Sequence, residues 1–217
     1  MSMSDPIAAV IFDADGTLVD SEAPGLDVLH EQALALGLAW ERAALHERFR
    51  GVRMAECAAL LAAEAGHAEP DFAADLLARI RAAMAERFRQ GLEPMPGAEA
   101  LLRRLELPFC VATNGPREKV ELTLGLTGLL PLLAGRIHSA YEVGSFKPEP
   151  GLFLHAAESL GVAPARCAVV EDSLPGVEAG LAAGMRVFSL LPPAQAPADL
   201  HERVTFIDAL AELDSHF

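Results

Sequence analysis

The chain has 217 residues, and its 17 Lys and Arg against 31 Asp and Glu leave a formal net charge of −14. That balance opposes a general grip on nucleic-acid phosphates or on an anionic membrane surface, yet leaves room for a small anionic ligand, because net charge is not the local field. Hydrophobic residues reach 52%, enough for a core, although 40 of them are alanines that each bury little area.

Residues 7–12 form a short apolar run that stops at Asp13-Ala14-Asp15-Gly16, which predicts a buried strand ended by a loop. The chain opens MSMSDPIAAVIFD, with no cationic stretch before an apolar run that Asp13 cuts short. It reads as a strand rather than a signal peptide. From about 21 to 93 the texture changes to 19 alanines, few β-branched residues and helical spacing at Leu26, Leu29, Ala33, Leu34, Leu60, Leu61, Leu76, Leu77, Ile80 and Met84. Breaks at Gly37, at Arg50-Gly51 and from Gly66 to Pro70 divide this block into about four helices with no strand.

Beyond Pro94-Met95-Pro96-Gly97, strand and helix alternate. The expected order is helix 98–105, strand 109–112, helix 116–125, a weak strand near 136–140, helix 150–160, strand 167–170, helix 175–183 and strand 185–190. Such alternation implies a parallel sheet covered on both faces. Strand 7–12 belongs to that sheet, so the helical block is an insertion. The expected architecture is α/β, a doubly wound, Rossmann-like parallel sheet from residues 1–17 and 96–217, with an α-helical cap domain at 18–95. The Pro-rich stretch 192–197 reads as a surface loop.

In an open parallel sheet, ligands bind outside the carboxyl ends of the strands. The polar residues that matter fall there: Asp13 and Asp15, then Thr113 and Asn114, then Glu171 and Asp172, with Lys147 before a helix on the same rim. Taken singly, D-x-D-G is a common turn, K-P-x-P a common helix start and Glu-Asp-Ser a common helix cap. Their occurrence together, in order, points to a site. Four neighbouring carboxylates repel unless a cation sits among them, and an oxygen-only ligand set suits Mg²⁺. With Lys147 as a second positive charge, the site suits a phosphoryl group.

These residues carry a resemblance. The chain resembles the haloacid dehalogenase-like hydrolases, specifically the β-phosphoglucomutase-like phosphatases with a helical cap. The motifs are FDADGTLVDSE from Phe12, VATNG from Val111, KPEP from Lys147 and VEDSLPGVEAG from Val170. The stretch Arg50-Gly51-Val52-Arg53, with Thr113-Asn114-Gly115-Pro116, also looks like the 6-phosphogluconate phosphatase branch.

The resemblance implies that Asp13 is the nucleophile of an aspartyl-phosphate mechanism and that Asp15 protonates the leaving alkoxide, then activates water. It implies Mg²⁺ held by Asp13, the backbone carbonyl of Asp15, and Asp172, with Glu171 near. Thr113 and the backbone of Asn114 and Gly115 would take the phosphoryl oxygens, and Lys147 would neutralise the phosphate and orient Asp13. The cap would close over the rim and choose the substrate. In the mutase branch a histidine follows the second catalytic Asp by about ten residues; Gly25 stands there, which favours a phosphatase. A phosphosugar mutase and a catalytically silent binding protein on the same scaffold remain the alternatives.

Outside the motifs, Arg50 and Arg53 are candidates for a second anionic group of the substrate, set against a solvated helix face. Arg117, after the second motif, is a candidate phosphate contact set against the preferred reading as the surface of a helix start, and the cysteines read as small core residues. Three widely spaced cysteines with no CxxC suggest neither a disulfide scaffold nor a zinc site, so the expected setting is a reducing cytoplasm. The expected partner is a small phosphorylated metabolite, with no nucleic acid and no membrane, and the chain is expected to be a monomer.

Overall fold

The structure, a computed structural model, describes residues 6–67 and 69–217; the opening residues read above as lacking a cationic leader lie outside the described residues. The chain forms two compact units, one from the residues up to Val19 with Glu93–Phe217, the other Asp20–Leu92.

The first unit is built on six parallel strands: β1 (Ala9–Phe12), β2 (Phe109–Thr113), β3 (Ile137–Ser139), β4 (Cys167–Glu171), β5 (Arg186–Ser189) and β6 (Thr205–Phe206). Their order in the sheet is β3-β2-β1-β4-β5-β6. Every residue of β1 is fully buried, which is why it reads as an unbroken apolar run rather than an alternating one. Register fixes the rim: Phe12 pairs with Val111 of β2 and with Val170 of β4. Asp13 and Glu171 therefore leave the sheet side by side, with Thr113 one residue further along β2. From β1 the chain builds outward through β2 and β3, then returns to lay β4, β5 and β6 on the other flank. The carboxyl ends of β1, β2 and β4 are thus the switch point where a crevice opens.

The second unit holds α1 (Glu22–Ala35), α2 (Arg42–Phe49), α3 (Met54–Glu64) and α4 (Pro70–Arg89), the helical insertion expected after β1. Leu76, Ile80, Met84 and Phe88 recur every fourth residue of α4 and are all buried. Gly25 of α1 lies against α4, where a Cβ would stand 2.8 Å from Met84 Cε, the far end of a flexible side chain. Trp40 stacks on Phe49 at 5.8 Å between ring centroids, with the Arg48 guanidinium 4.5 Å above the indole. Leu34 and Leu60, which share the helical apolar spacing, are 49% and 42% exposed. Their neighbours Ala33 and Leu61 take the buried positions, about 100° round the helix.

The first unit continues with α5 (Ala98–Arg104), α6 (Arg117–Leu126), α7 (Leu130–Leu133), α8 (Ala140–Val143), α9 (Gly151–Leu160) and α10 (Leu174–Ala182). Helices α9 and α10 bury Phe153, Ala156, Val177 and Ala179 in one cluster with Ala9, Ile11, Ala112 and Val169 of the sheet. A fully buried Phe or Ile there is worth about 1.5–3 kcal/mol. The single-turn helices α7 and α8 and the strand β6 escape a sequence reading because elements of two to four residues carry no periodicity. No helix among the described residues is long and apolar enough to cross a membrane.

Candidate active site

The loop after β1 is held by its own backbone. Asp13 N–H donates to Val170 O at 3.0 Å, Leu18 and Val19 both donate to Ala14 O at 2.9 Å, and Gly16 donates to Val19 O at 2.8 Å. Gly16 has φ +80°, a left-handed conformation that glycine adopts without Cβ strain. A Cβ there would also run into the Asp172 carboxylate. The buried Thr17 hydroxyl donates to Asp172 Oδ1 at 3.2 Å, which ties this loop to the end of β4.

Lys147 reaches the centre of this rim. Its ammonium pairs with Asp13 Oδ1 and with Glu171 Oε1, the latter at 2.6 Å, and lies 5.0 Å from the Phe153 ring centroid. Glu171 is fully buried and fully engaged: Oε2 accepts from Asp172 N–H and Ser173 N–H, each at 3.1 Å, and from the Ser173 hydroxyl at 2.9 Å. Ser173 also caps α10, accepting from Gly176 N–H at 3.3 Å. Gly176 leaves the space into which the Glu171 carboxyl is packed.

Burial pushes Asp13 up to about 7 against the pull of Lys147, with Glu171 and Asp15 pushing the same way. Burial works against the charge of Lys147 too, but Asp13 and Glu171 outweigh it and hold the ammonium above its ordinary value. Two carboxylates flank the Lys147 ammonium and keep it charged, while the crowding of Asp13 by burial, Glu171 and Asp15 calls for more positive charge at this point.

The donor set fits that demand. Asp13, Glu171 and Asp172 each offer a carboxylate oxygen, and the three lie within 4.8 Å of one another. They are hard oxygen donors of the kind Mg²⁺ takes.

The second motif lines the adjoining edge. The buried Thr113 Oγ1 accepts from Gly115 N–H at 3.0 Å and keeps its own O–H to donate. The Asn114 side chain clamps the backbone of Lys147: Oδ1 accepts from Lys147 N–H at 2.9 Å and Nδ2 donates to Lys147 O at 3.3 Å. Ser139, at the end of β3, donates to Gly115 O at 2.7 Å. The Lys119 ammonium pairs with the Asp15 carboxylate. Asp13, Glu171, Asp172 and Lys147 are thus brought together, with Thr113, Asn114 and Gly115 held beside Lys147 through Asn114.

Arg50 and Arg53 belong to the helical unit. Arg50 pairs with Glu22 at 3.3 Å, and Arg53 with Glu56. Arg117 binds Glu142 Oε2 at 2.7 Å and Ile137 O at 2.8 Å, so it ties α6 to β3 and α8. Three participants carry no role in the sequence reading: Thr17, Ser139 and Lys119. Lys119 was within reach of the helical register, three residues after Pro116 and so on the first turn of the helix that leaves the rim. Ser139 depends on β3 lying beside β2, which no local pattern announces.

An acidic triad with an embedded lysine at a parallel-sheet switch point carries the charges that a cation and a phosphoryl group call for. The family profile for haloacid dehalogenase-like hydrolases matches residues 7–184, and the chain belongs to that family. Within it the chain is a phosphatase-type hydrolase of the capped branch that includes β-phosphoglucomutase and 6-phosphogluconate phosphatase. It is 33% identical over 207 residues, 95% of this chain and 93% of the relative, to the 6-phosphogluconate phosphatase of Escherichia coli K12. A HAD family hydrolase from Deinococcus radiodurans R1, solved with phosphate and sodium, is 34% identical with a TM-score of 0.74, covering 96% of this chain and 93% of its own. CbbY from Rhodobacter sphaeroides, solved with xylulose-(1,5)bisphosphate, is 27% identical with a TM-score of 0.75, covering 95% and 96%.

Proposed function

We propose that this protein is a Mg²⁺-dependent phosphatase of a small sugar phosphate, with 6-phosphogluconate the first substrate to try, working through an aspartyl-phosphate on Asp13. The observation that carries the reading is Lys147 seated between Asp13 and Glu171, with Asp172 alongside. Support for the substrate class comes from the E. coli relative named for 6-phosphogluconate and from the sugar bisphosphate in CbbY.

Lys147 anchors one oxygen of Asp13 and so aims the carboxylate at the phosphorus. The Thr113 hydroxyl and the backbone of Asn114 and Gly115 hold phosphoryl oxygens. As Asp13 bonds to phosphorus, the bond to the leaving oxygen breaks and Asp15 gives that oxygen its proton. Asp15 then takes a proton from water, which attacks phosphorus, frees inorganic phosphate and restores Asp13. Asp13, Asp172 and the backbone carbonyl of Asp15, with Glu171 behind them, are the groups to hold Mg²⁺, which when bound neutralises charge on the phosphoryl oxygens. Arg50 and Arg53 are proposed for the second anion of the substrate, the carboxylate in 6-phosphogluconate; there each exchanges its glutamate partner for the ligand. A cytoplasmic setting fits three buried free thiols.

A mutase is disfavoured by Gly25 itself, which stands where the mutase branch carries a histidine. The deciding experiment is phosphate release from a panel of sugar phosphates with Mg²⁺, wild type against Asp13→Asn. Loss of at least about a thousandfold is expected, and full turnover by the variant sinks the nucleophile assignment. Isomerised sugar phosphate in place of free phosphate decides for a mutase.

A further inference from the structure

Lys147 serves the Asp13 side of the rim. A second lysine stands on the Asp15 side, and the geometry around Gly115 brings it there. Lys119 lies on the first turn of α6, where its N–H donates to Pro116 O at 3.0 Å. The nearest atoms to a Cβ built on Gly115 would be Thr113 Oγ1 at 3.3 Å, Lys119 Cδ at 3.5 Å and Asp15 Oδ2 at 3.7 Å. The lysine stem thus runs beside the second motif, within contact distance of residue 115, and sets its ammonium on the Asp15 carboxylate. Gly115 is itself fixed, through its N–H on Thr113 and its carbonyl under Ser139. The ion pair is only a quarter or so exposed, with side-chain accessibilities of 25% and 28%. A single ion pair still partly open to water contributes modestly to stability. Its position beside the phosphate-binding threonine is what gives it another use.

We propose that Lys119 is a positioning residue for Asp15, holding its carboxyl on the Gly115 side of the rim where the leaving oxygen is protonated. The inference rests on Asp15 as the proton donor of the phosphatase reaction. In that step the P–O bond to the leaving group breaks and its electron pair stays on the leaving oxygen. The Asp15 O–H bond breaks with it, the proton passes to that oxygen, and Asp15 becomes a carboxylate. Lys119 is the cation that meets this carboxylate and keeps it in place for the water-activating half of the cycle. Each working aspartate then has its own lysine.

The test is leaving-group dependence, which a lysine that only packs or only binds phosphate does not alter. An alkyl phosphate needs the proton, whereas p-nitrophenyl phosphate leaves as a weakly basic aryl oxide without one. Lys119→Met is expected to lower kcat/KM for the alkyl ester about 30- to 100-fold, and for the aryl ester less than about threefold, a fraction of what general acid catalysis is worth. Lys119→Arg is expected to recover most of the alkyl activity. Asp15→Asn is expected to show the same split, and adding Lys119→Met to it to cost nothing further. Equal losses on both esters, or losses that multiply in the double variant, overturn the positioning role. No split in Asp15→Asn strikes the Asp15 assignment beneath it, and absence of phosphate release by the wild type strikes the phosphatase reading itself.

Discussion

The carboxylate of Asp172 stands in the space that a side chain on residue 16 would occupy, and Gly16 leaves it that space. The first and fourth motifs, 155 residues apart at the Thr17–Asp172 bond, are therefore fitted to each other at one missing methyl group. The approach of β1 and β4 at their carboxyl ends makes this contact unavoidable.

Gly16→Ala carries two costs: a left-handed alanine at φ +80°, worth about 1–2 kcal/mol, and displacement of Asp172. The expected outcome is Mg²⁺ affinity weaker by about 10- to 100-fold, with activity falling alongside. Gly37→Ala is the control, because Gly37 has φ +82° but open space around it. That variant should lose stability alone. Calorimetric Mg²⁺ titration and urea unfolding read both quantities, and wild-type affinity in Gly16→Ala removes Asp172 from the metal site.

Asn114→Ala removes both hydrogen bonds that clamp the Lys147 backbone. Leaving these partly buried groups unpaired costs about 1–3 kcal/mol. The clamp sets where Lys147 starts, so kcat should fall at least about tenfold while KM changes little. Steady-state kinetics together with an unfolding curve test this. A stability loss with unchanged kcat reduces Asn114 to a structural residue.

Burial pushes the Cys57 and Cys110 thiols up to about 12, and Cys167 is raised by burial as well. At pH 8 the thiolate fraction of Cys57 and Cys110 is then about one in ten thousand, and the thiolate is the reactive form. Titration with a disulfide reagent should find no rapidly reacting thiol in the native protein and three in denaturant. A fast-reacting native thiol contradicts the packing of these residues.

Asp27, in the helical unit, is held below the usual carboxylate range by the Arg42 guanidinium, assisted by His46. Arg42 Nη2 lies 3.0 Å from Oδ2 and His46 Nε2 2.9 Å from Oδ1. A lowered carboxylate stabilises above its unfolded pKa, about 4, and loses that contribution as pH falls through the depressed value. Asp27→Asn should lower the urea midpoint at pH 7, and its difference from wild type should shrink below about pH 4. A difference that stays constant across that range refutes the linkage.

Much of the fold was legible because its strands are unusually plain. A fully buried parallel strand needs apolar side chains on both faces, so β1 and β4 announce themselves as unbroken runs, each stopped by acid. The helical insertion was equally legible from alanine and from apolar residues every third or fourth position, as along α4. Even the rim followed from sequence, since polar residues just past strand ends must stand where the strands stop. Asp13, Glu171, Asp172 and Lys147 are all legible from that reasoning.

What sequence could not supply were relations between residues far apart in the chain. Nothing local says that Asn114 clamps the backbone of Lys147, that Ser139 braces Gly115, or that Lys119 meets Asp15. Nor does it say that Arg50 is already paired with Glu22 in the helical unit. Strand register and helix packing decide these contacts, because they bring together groups that the chain itself separates by tens of residues. The acidic excess of the chain was visible from the start and excludes large polyanions. Only the folded rim gathers two lysines and a cluster of carboxylates at the strand ends, where we propose that a cation and a phosphate bind.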